Sequence, residues 1–170
     1  MKRLVPILLL CAALALLVAG CGGDDDSSTG STGSSTSSAE SGDGAVVGKT
    51  KPKVTVPKGA PPKQLEIEEI EEGTGAEAKA GDEVTVQYVG VGYDSEKEFD
   101  SSWSRSEPFA FALGAGQVIP GWDQGVEGMK VGGRRELIIP PELAYGETGS
   151  PPAIGPNETL IFVIDLLAVE

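Results

Sequence analysis

All nine aromatic residues of this 170-residue chain, two Trp, three Tyr and four Phe, lie between Tyr88 and Phe162. Aromatic side chains bury more area than any others, so a packed core can form only around that stretch. Before it, large aliphatic side chains are abundant only ahead of residue 20. Three regions follow: a greasy start, a polar middle and a foldable C-terminal part.

The start reads as an address. Met1-Lys2-Arg3 is a short positive segment, and residues 4–19 are almost wholly apolar. A run of about 16 residues is shorter than the roughly 20 a spanning helix needs, and it suits the hydrophobic region of a secretory signal. It ends in Val18-Ala19-Gly20-Cys21, which resembles the bacterial lipobox. That resemblance implies a signal peptide over 1–20, cleavage before Cys21, acylation of the Cys21 thiol and an extracytoplasmic protein anchored to the cell membrane. Two or more acyl chains make such anchoring stable. The plainer alternative is an ordinary cleaved signal in which Cys21 is incidental. Cys11 falls in the discarded segment.

Residues 21–61 form the expected linker. Asp24-Asp25-Asp26 and many Ser, Thr and Gly cannot bury enough surface to offset the entropy of ordering them. As a flexible coil the stretch would span roughly 35 Å. Its end, residues 49–58, is basic and contains Pro, and reads as solvated linker, with contact to anionic headgroups as the alternative. Pro57, Pro61 and Pro62 mark the boundary, leaving 62–170 as the domain.

Charge and composition exclude several functions. With 13 basic and 26 acidic residues the formal charge is −13, the wrong sign for neutralising phosphates, so no nucleic-acid partner is expected. The chain has no His, which rules out a His-dependent triad and removes the commonest metal ligand. The glutamates at 66, 68, 69, 71 and 72 read as a solvated face; no metal and no cofactor is expected. Both cysteines precede residue 22, so no disulfide can staple the domain.

Within 62–170, apolar periodicity gives a strand around Leu65, Ile67 and Ile70. Strict alternation gives a second through Val84, Val86 and Tyr88, and a third at Phe109 and Phe111. Residues 120–126 suit one short helix, with Pro120 at its start and Gly128 just past its end. Arg135, Leu137 and Ile139 form another strand, stopped by Pro140-Pro141. Residues 159–169 form the longest, with Leu160, Phe162, Ile164 and Leu166 on one face. The predicted class is a compact antiparallel α+β domain.

Across this stretch stand Val86-Gln87-Tyr88-Val89-Gly90, Phe99-Asp100-Ser101-Ser102, Pro108-Phe109, Val118-Ile119-Pro120-Gly121-Trp122, Gly128-Met129, Ala144-Tyr145-Gly146 and Thr159-Leu160-Ile161-Phe162. In this order and spacing, from about Gln64 to the C-terminus, they resemble the FKBP family of peptidyl-prolyl cis-trans isomerases. The resemblance implies a bent antiparallel β-sheet wrapped around one short α-helix. It implies Trp122 at a pocket floor and apolar walls from Tyr88, Phe99, Phe109, Val118, Ile154 and Phe162. It further implies that the Ile119 N–H and the Tyr145 hydroxyl hold substrate carbonyls, and that Asp100 and Arg105 form a polar pair beside the pocket. Partners would be proline-containing unfolded or partly folded polypeptides, and rapamycin-type macrolides. Three departures bear on the rim. The segment from Tyr88 to Phe99 is one residue longer than the common pattern, Ser150 stands where several members carry His, and Ala153 where a larger aliphatic residue is frequent.

Such a pocket suits the chemistry without a nucleophile. Rotation about an X–Pro amide faces a barrier near 20 kcal/mol, and its twisted transition state is less dipolar than the planar ground state. An apolar, water-poor site therefore favours it. Asp100 has no proton to move in this reaction. Orienting the Tyr145 hydroxyl, pairing with Arg105 or shaping the local field are its expected tasks, against a plain loop-stiffening salt bridge. Phe111 is expected to be core. Tyr93 and Trp103 are open between client contact and packing. The leading reading is an isomerase for secreted or envelope proteins; the alternative is a catalytically weak, client- or partner-binding lipoprotein of the same fold.

Overall fold

The computed structural model describes residues 49–170; the expected signal, Cys21 and most of the expected linker lie outside them. Six antiparallel strands, β1 (Glu66–Glu71), β2 (Glu83–Gly92), β3 (Glu98–Ser101), β4 (Phe109–Ala112), β5 (Arg134–Ile139) and β6 (Leu160–Val169), form one sheet. Its order is β1-β5-β6-β2-β3, with β4 paired to β2. Thus β2 meets β6 along one edge and shares the other between β4 and β3.

Between β4 and β5 runs the helix α2 (Pro120–Val126). Pro120 opens it, where a missing N–H costs nothing. The Arg135 guanidinium of β5 caps its far end, donating to the carbonyls of Gly125 (2.7 Å) and Glu127 (3.1 Å). Close approach to β5 requires Gly125, because a Cβ there would lie 2.5 Å from Leu137 Cδ1. Trp122 and Val126 of the helix then enter one core with Val84, Val86, Leu137, Ile139, Ile164 and Leu166. The fold is the expected antiparallel sheet over a short helix. A second helical piece, α1 (Ser102–Arg105), is a single turn that ends at Ser106 in the left-handed region, φ 55°.

Two local expectations differ. In β1 every residue is exposed, Ile67 and Ile70 about half so. The strand lies at the edge and pairs only with β5, so its isoleucines gain no cover on either side. The linker differs more. Residues 49–56 lie as an extended strap on the sheet face opposite α2, with Pro52, Val54 and Val56 half-buried and the residues between them exposed. Val54 and Val56 cover Tyr93, Ile138 and Ile161. Period-2 alternation was present in Lys51-Pro52-Lys53-Val54-Thr55-Val56, masked by its lysines and proline.

Candidate active site

Alternation in β2 sends Tyr88 toward α2, and β6 sends Phe162 to the same place. There they meet the Trp122 indole nearly edge-on, at ring-centroid separations of 5.1 Å and 5.2 Å and interplanar angles of 82° and 89°. Phe109 and Phe111, stacked on each other at 5.5 Å, approach the same indole at 6.1 Å and 5.6 Å. Each such pair adds about 1 kcal/mol beyond its buried area. Phe111 is buried, whereas Phe109 is 37% exposed: neighbours on one face, one serves the core and the other an opening.

That opening is a cavity of about 490 Å³. Trp122 lines it while remaining 4% exposed, so the ring is supported from below and offers one surface outward. Tyr88, Phe99, Phe109 and Phe162 stand around it, with Val118 and Ile119 from the loop before α2, Tyr145 and Asp100. Phe99 reaches its place because β2 carries Gly90 opposite Asp100: a Cβ on Gly90 would lie 2.7 Å from Phe99 Cζ and 2.8 Å from Phe162 Cε1. The Ile119 carbonyl accepts from the Trp122 N–H (2.9 Å) at the helix start. The Ile119 N–H takes no partner among the described residues.

Asp100 sits in a network of its own. Its carboxylate accepts from the Tyr88 hydroxyl, from Arg105 Nη1 and from the Ser101 N–H (2.8 Å). Arg105 Nη2 also donates to the Tyr88 hydroxyl (2.8 Å), and its guanidinium lies 5.7 Å from the Tyr88 ring centroid. Partial burial opposes the charge on Asp100, but the Tyr88 and Arg105 hydrogen bonds outweigh it and hold the carboxyl below its usual 3.8. Burial first, then the Asp100 hydrogen bond, pushes the Tyr88 phenol up. The hydroxyl that meets Asp100 therefore belongs to Tyr88, not to Tyr145. Tyr145 is 42% exposed at the cavity rim.

Ile154 does not reach the cavity. It is 5% exposed, packed in the core beneath, and its backbone pairs with Ser150. Arg105 stands outside the lining and touches it through Asp100 and Tyr88. Gln117 and Pro120 do line the cavity, and periodicity gave no signal for Gln117, a polar residue in a loop. Of the two undecided aromatics, Tyr93 is buried under the strap and Trp103 half-buried. Before Phe99 the chain carries a bulge between Gly90 and Val91 and a tight turn with Glu96 at φ 52°.

Comparison with known proteins gives a consistent answer. The profile described as FKBP-type peptidyl-prolyl cis-trans isomerase matches residues 75–167. An "FK506-binding protein" of Streptomyces anulatus is 61% identical over 120 residues, 70% of this chain and 97% of that one. A "Probable FK506-binding protein" of Corynebacterium glutamicum is 49% identical over 118 residues, 69% of this chain and 98% of its own. Among solved structures, AtFKBP13 aligns with TM-score 0.58 at 39% identity, covering 62% of this chain and 93% of that one. FkpA from Escherichia coli aligns with TM-score 0.57 at 47% identity, covering 62% of this chain and 48% of its own.

Proposed function

Because the chain belongs to the family of FKBP-type peptidyl-prolyl cis-trans isomerases, we propose that its aromatic cavity is where the prolyl amide twists. We propose further that the domain acts on secreted or envelope proteins from a lipid anchor at Cys21. The observation that carries the first part is the cavity over Trp122, ringed by Tyr88, Phe99, Phe109 and Phe162 and containing one charged group, Asp100. A prolyl ring stacked on the indole would sit in an apolar niche, with the amide between the Ile119 N–H and the Tyr145 hydroxyl. As the amide twists, its nitrogen loses conjugation and its dipole shrinks, so low polarity around it lowers the barrier. A thousandfold acceleration needs only about 4 kcal/mol of such preference. Asp100, held ionised by Tyr88 and Arg105, moves no proton and orients the Tyr88 edge of the wall.

Support for the anchor is the sequence itself: the positive start, the apolar run and Val18-Ala19-Gly20-Cys21. The same cavity would take proline-containing polypeptides and rapamycin-type macrolides, the latter in keeping with relatives named for binding FK506.

The full chain is expected to speed cis-to-trans conversion of a short peptide containing Phe-Pro or Leu-Pro, and a rapamycin-type macrolide to block it. A folded sample that leaves the rate at the buffer value would refute the catalytic reading. Expressed in a bacterial host, the wild type should sediment with membranes and Cys21→Ser should not; equal distribution would refute the anchor alone.

A further inference from the structure

We infer that the strap of residues 49–56 is a positioning element of the active site, acting through Lys51 on the corner that carries Phe99, Asp100 and Arg105. The inference rests on the reading of the cavity given above. Lys51 Nζ bonds Glu98 Oε1 at 2.8 Å and Ser104 Oγ at 3.2 Å, and Ser104 Oγ lies 3.3 Å from the same Glu98 oxygen. Glu98 opens β3, directly before Phe99 and Asp100; Ser104 belongs to α1, directly before Arg105. One ammonium group therefore ties together the two arms of the corner from which Asp100 and Arg105 face each other.

Toward β2 that corner is already held: Ser102 Oγ accepts from the Tyr88 N–H at 2.8 Å and donates to Gln87 Oε1, and Asp100 and Arg105 both bond the Tyr88 hydroxyl. Its outer side chains, Glu98 and Ser104, are exposed and among the described residues bond only each other and Lys51. A helical turn of four residues does not sustain itself, and β3 pairs with β2 alone, across a bulge. The strap, by contrast, is anchored on both sides of Lys51. Lys49 Nζ lies 3.0 Å from Glu71 and 3.6 Å from Asp165, and the Thr50 carbonyl accepts from Arg134 Nη2 at 3.0 Å. On the other side, Val54 and Val56 are seated on Tyr93, Ile138 and Ile161. Lys51 thus reaches the corner from a backbone whose place is already set, which distinguishes it from an ordinary solvated lysine. Lys53, two residues on, is exposed and has no partner among the described residues.

The test uses the full chain with Lys51→Met, which keeps the aliphatic stem and removes the charge, beside Lys53→Met. For a Phe-Pro peptide, kcat should fall about two- to fivefold in Lys51→Met, the range an exposed ion pair supports. Lys51→Arg should restore most of it, Lys53→Met should match wild type, and Tm should shift by no more than about 2 °C. High salt should bring wild type toward Lys51→Met, because the pair is screened. Wild-type kcat in Lys51→Met together with an impaired Asp100→Asn overturns the inference and leaves the cavity reading standing. If the folded wild type itself leaves the peptide at the buffer rate, the cavity reading fails and takes the inference with it. As an independent arm, Val54→Asp with Val56→Asp should release the strap, read as faster tryptic cleavage after Lys53, and lower kcat further. A released strap with unchanged kcat overturns the inference as well.

Discussion

The two faces of the sheet are built from alternating residues of the same strands and are held in different ways. Toward α2, Val86 and Tyr88 of β2 and Phe162 and Ile164 of β6 meet aromatic rings and aliphatic side chains, and packing does nearly all the work. On the opposite face Val89 stands across from Val163 and Val91 from Ile161, and all four are buried. Charge is interleaved with them: Arg134 grips Asp165 through Nε at 2.6 Å and Nη2 at 2.7 Å, and that carboxylate is 1% exposed. The α2 face tolerates one opening, the cavity, because its other members are closely packed. The strap face is closed by a segment upstream of the domain, whose seat depends on buried charge as much as on valines.

The largest effect should come from emptying the centre of the α2 face. Trp122→Ala removes the ring against which Tyr88, Phe109, Phe111 and Phe162 lie. It is expected to lower the unfolding free energy in urea by about 4 kcal/mol and to abolish macrolide binding. A loss under about 1 kcal/mol would mean that the indole is a rim residue, and the contrast between a packed face and a charged one would fail.

On the strap face the matching lesion is electrostatic. Arg134→Met leaves Asp165 buried with only Lys49 near it, at 3.6 Å. Breaking a buried pair on one side costs about 3 kcal/mol, whereas replacing both partners by apolar groups restores much of it. Denaturation of Arg134→Met and of Arg134→Met with Asp165→Leu therefore separates charge from packing. If the double variant is as weak as the single, the arginine acts on this face through its stem, and the two faces are held alike.

Much of the α2 face was legible in the sequence because strict alternation and aromatic placement are strong local signals. Phe109 to Ala112 and Pro120 to Val126 are read there as the structure forms them, and the cavity rings were named through the resemblance. The strap face was not legible, for a physical reason. Val54 and Val56 sit among Lys and Pro, so composition speaks for a solvated linker, and their burial depends on a sheet surface 30 and more residues away in sequence. Glu66 to Glu71 form the strand and the solvated glutamate face that the sequence indicates, but alternation cannot tell whether another element will cover the isoleucines, and none does. The pairing of Asp100 with Arg105 is legible in the sequence, but the hydroxyl that joins it is not, because Tyr88 and Tyr145 both reach the cavity and only geometry separates a wall from a rim.

The smallest effect tests whether charge on the strap face is optimised or merely tolerated. Glu136 lies between Val163 and Glu68 in the sheet, and burial, followed by repulsion from Glu68, raises its carboxyl above the usual 4.5. A carboxyl raised on folding means that the native state binds more protons than the unfolded chain. Stability therefore declines as pH rises through 4.5 and on through the folded value, and above that the penalty is complete. Glu136→Gln removes it. At pH 7 the variant should melt roughly 2 °C higher, the scale of a few tenths of a kcal/mol in a domain of this size. The gain should vanish below about pH 4, where both states are protonated. The direction matters more than the size, because Arg134 and Asp165 on the same face predict the opposite sign when either charge is lost. A gain that persisted unchanged into acid would point to packing of the amide, and would make Glu136 part of the apolar cover rather than a charge that this face tolerates.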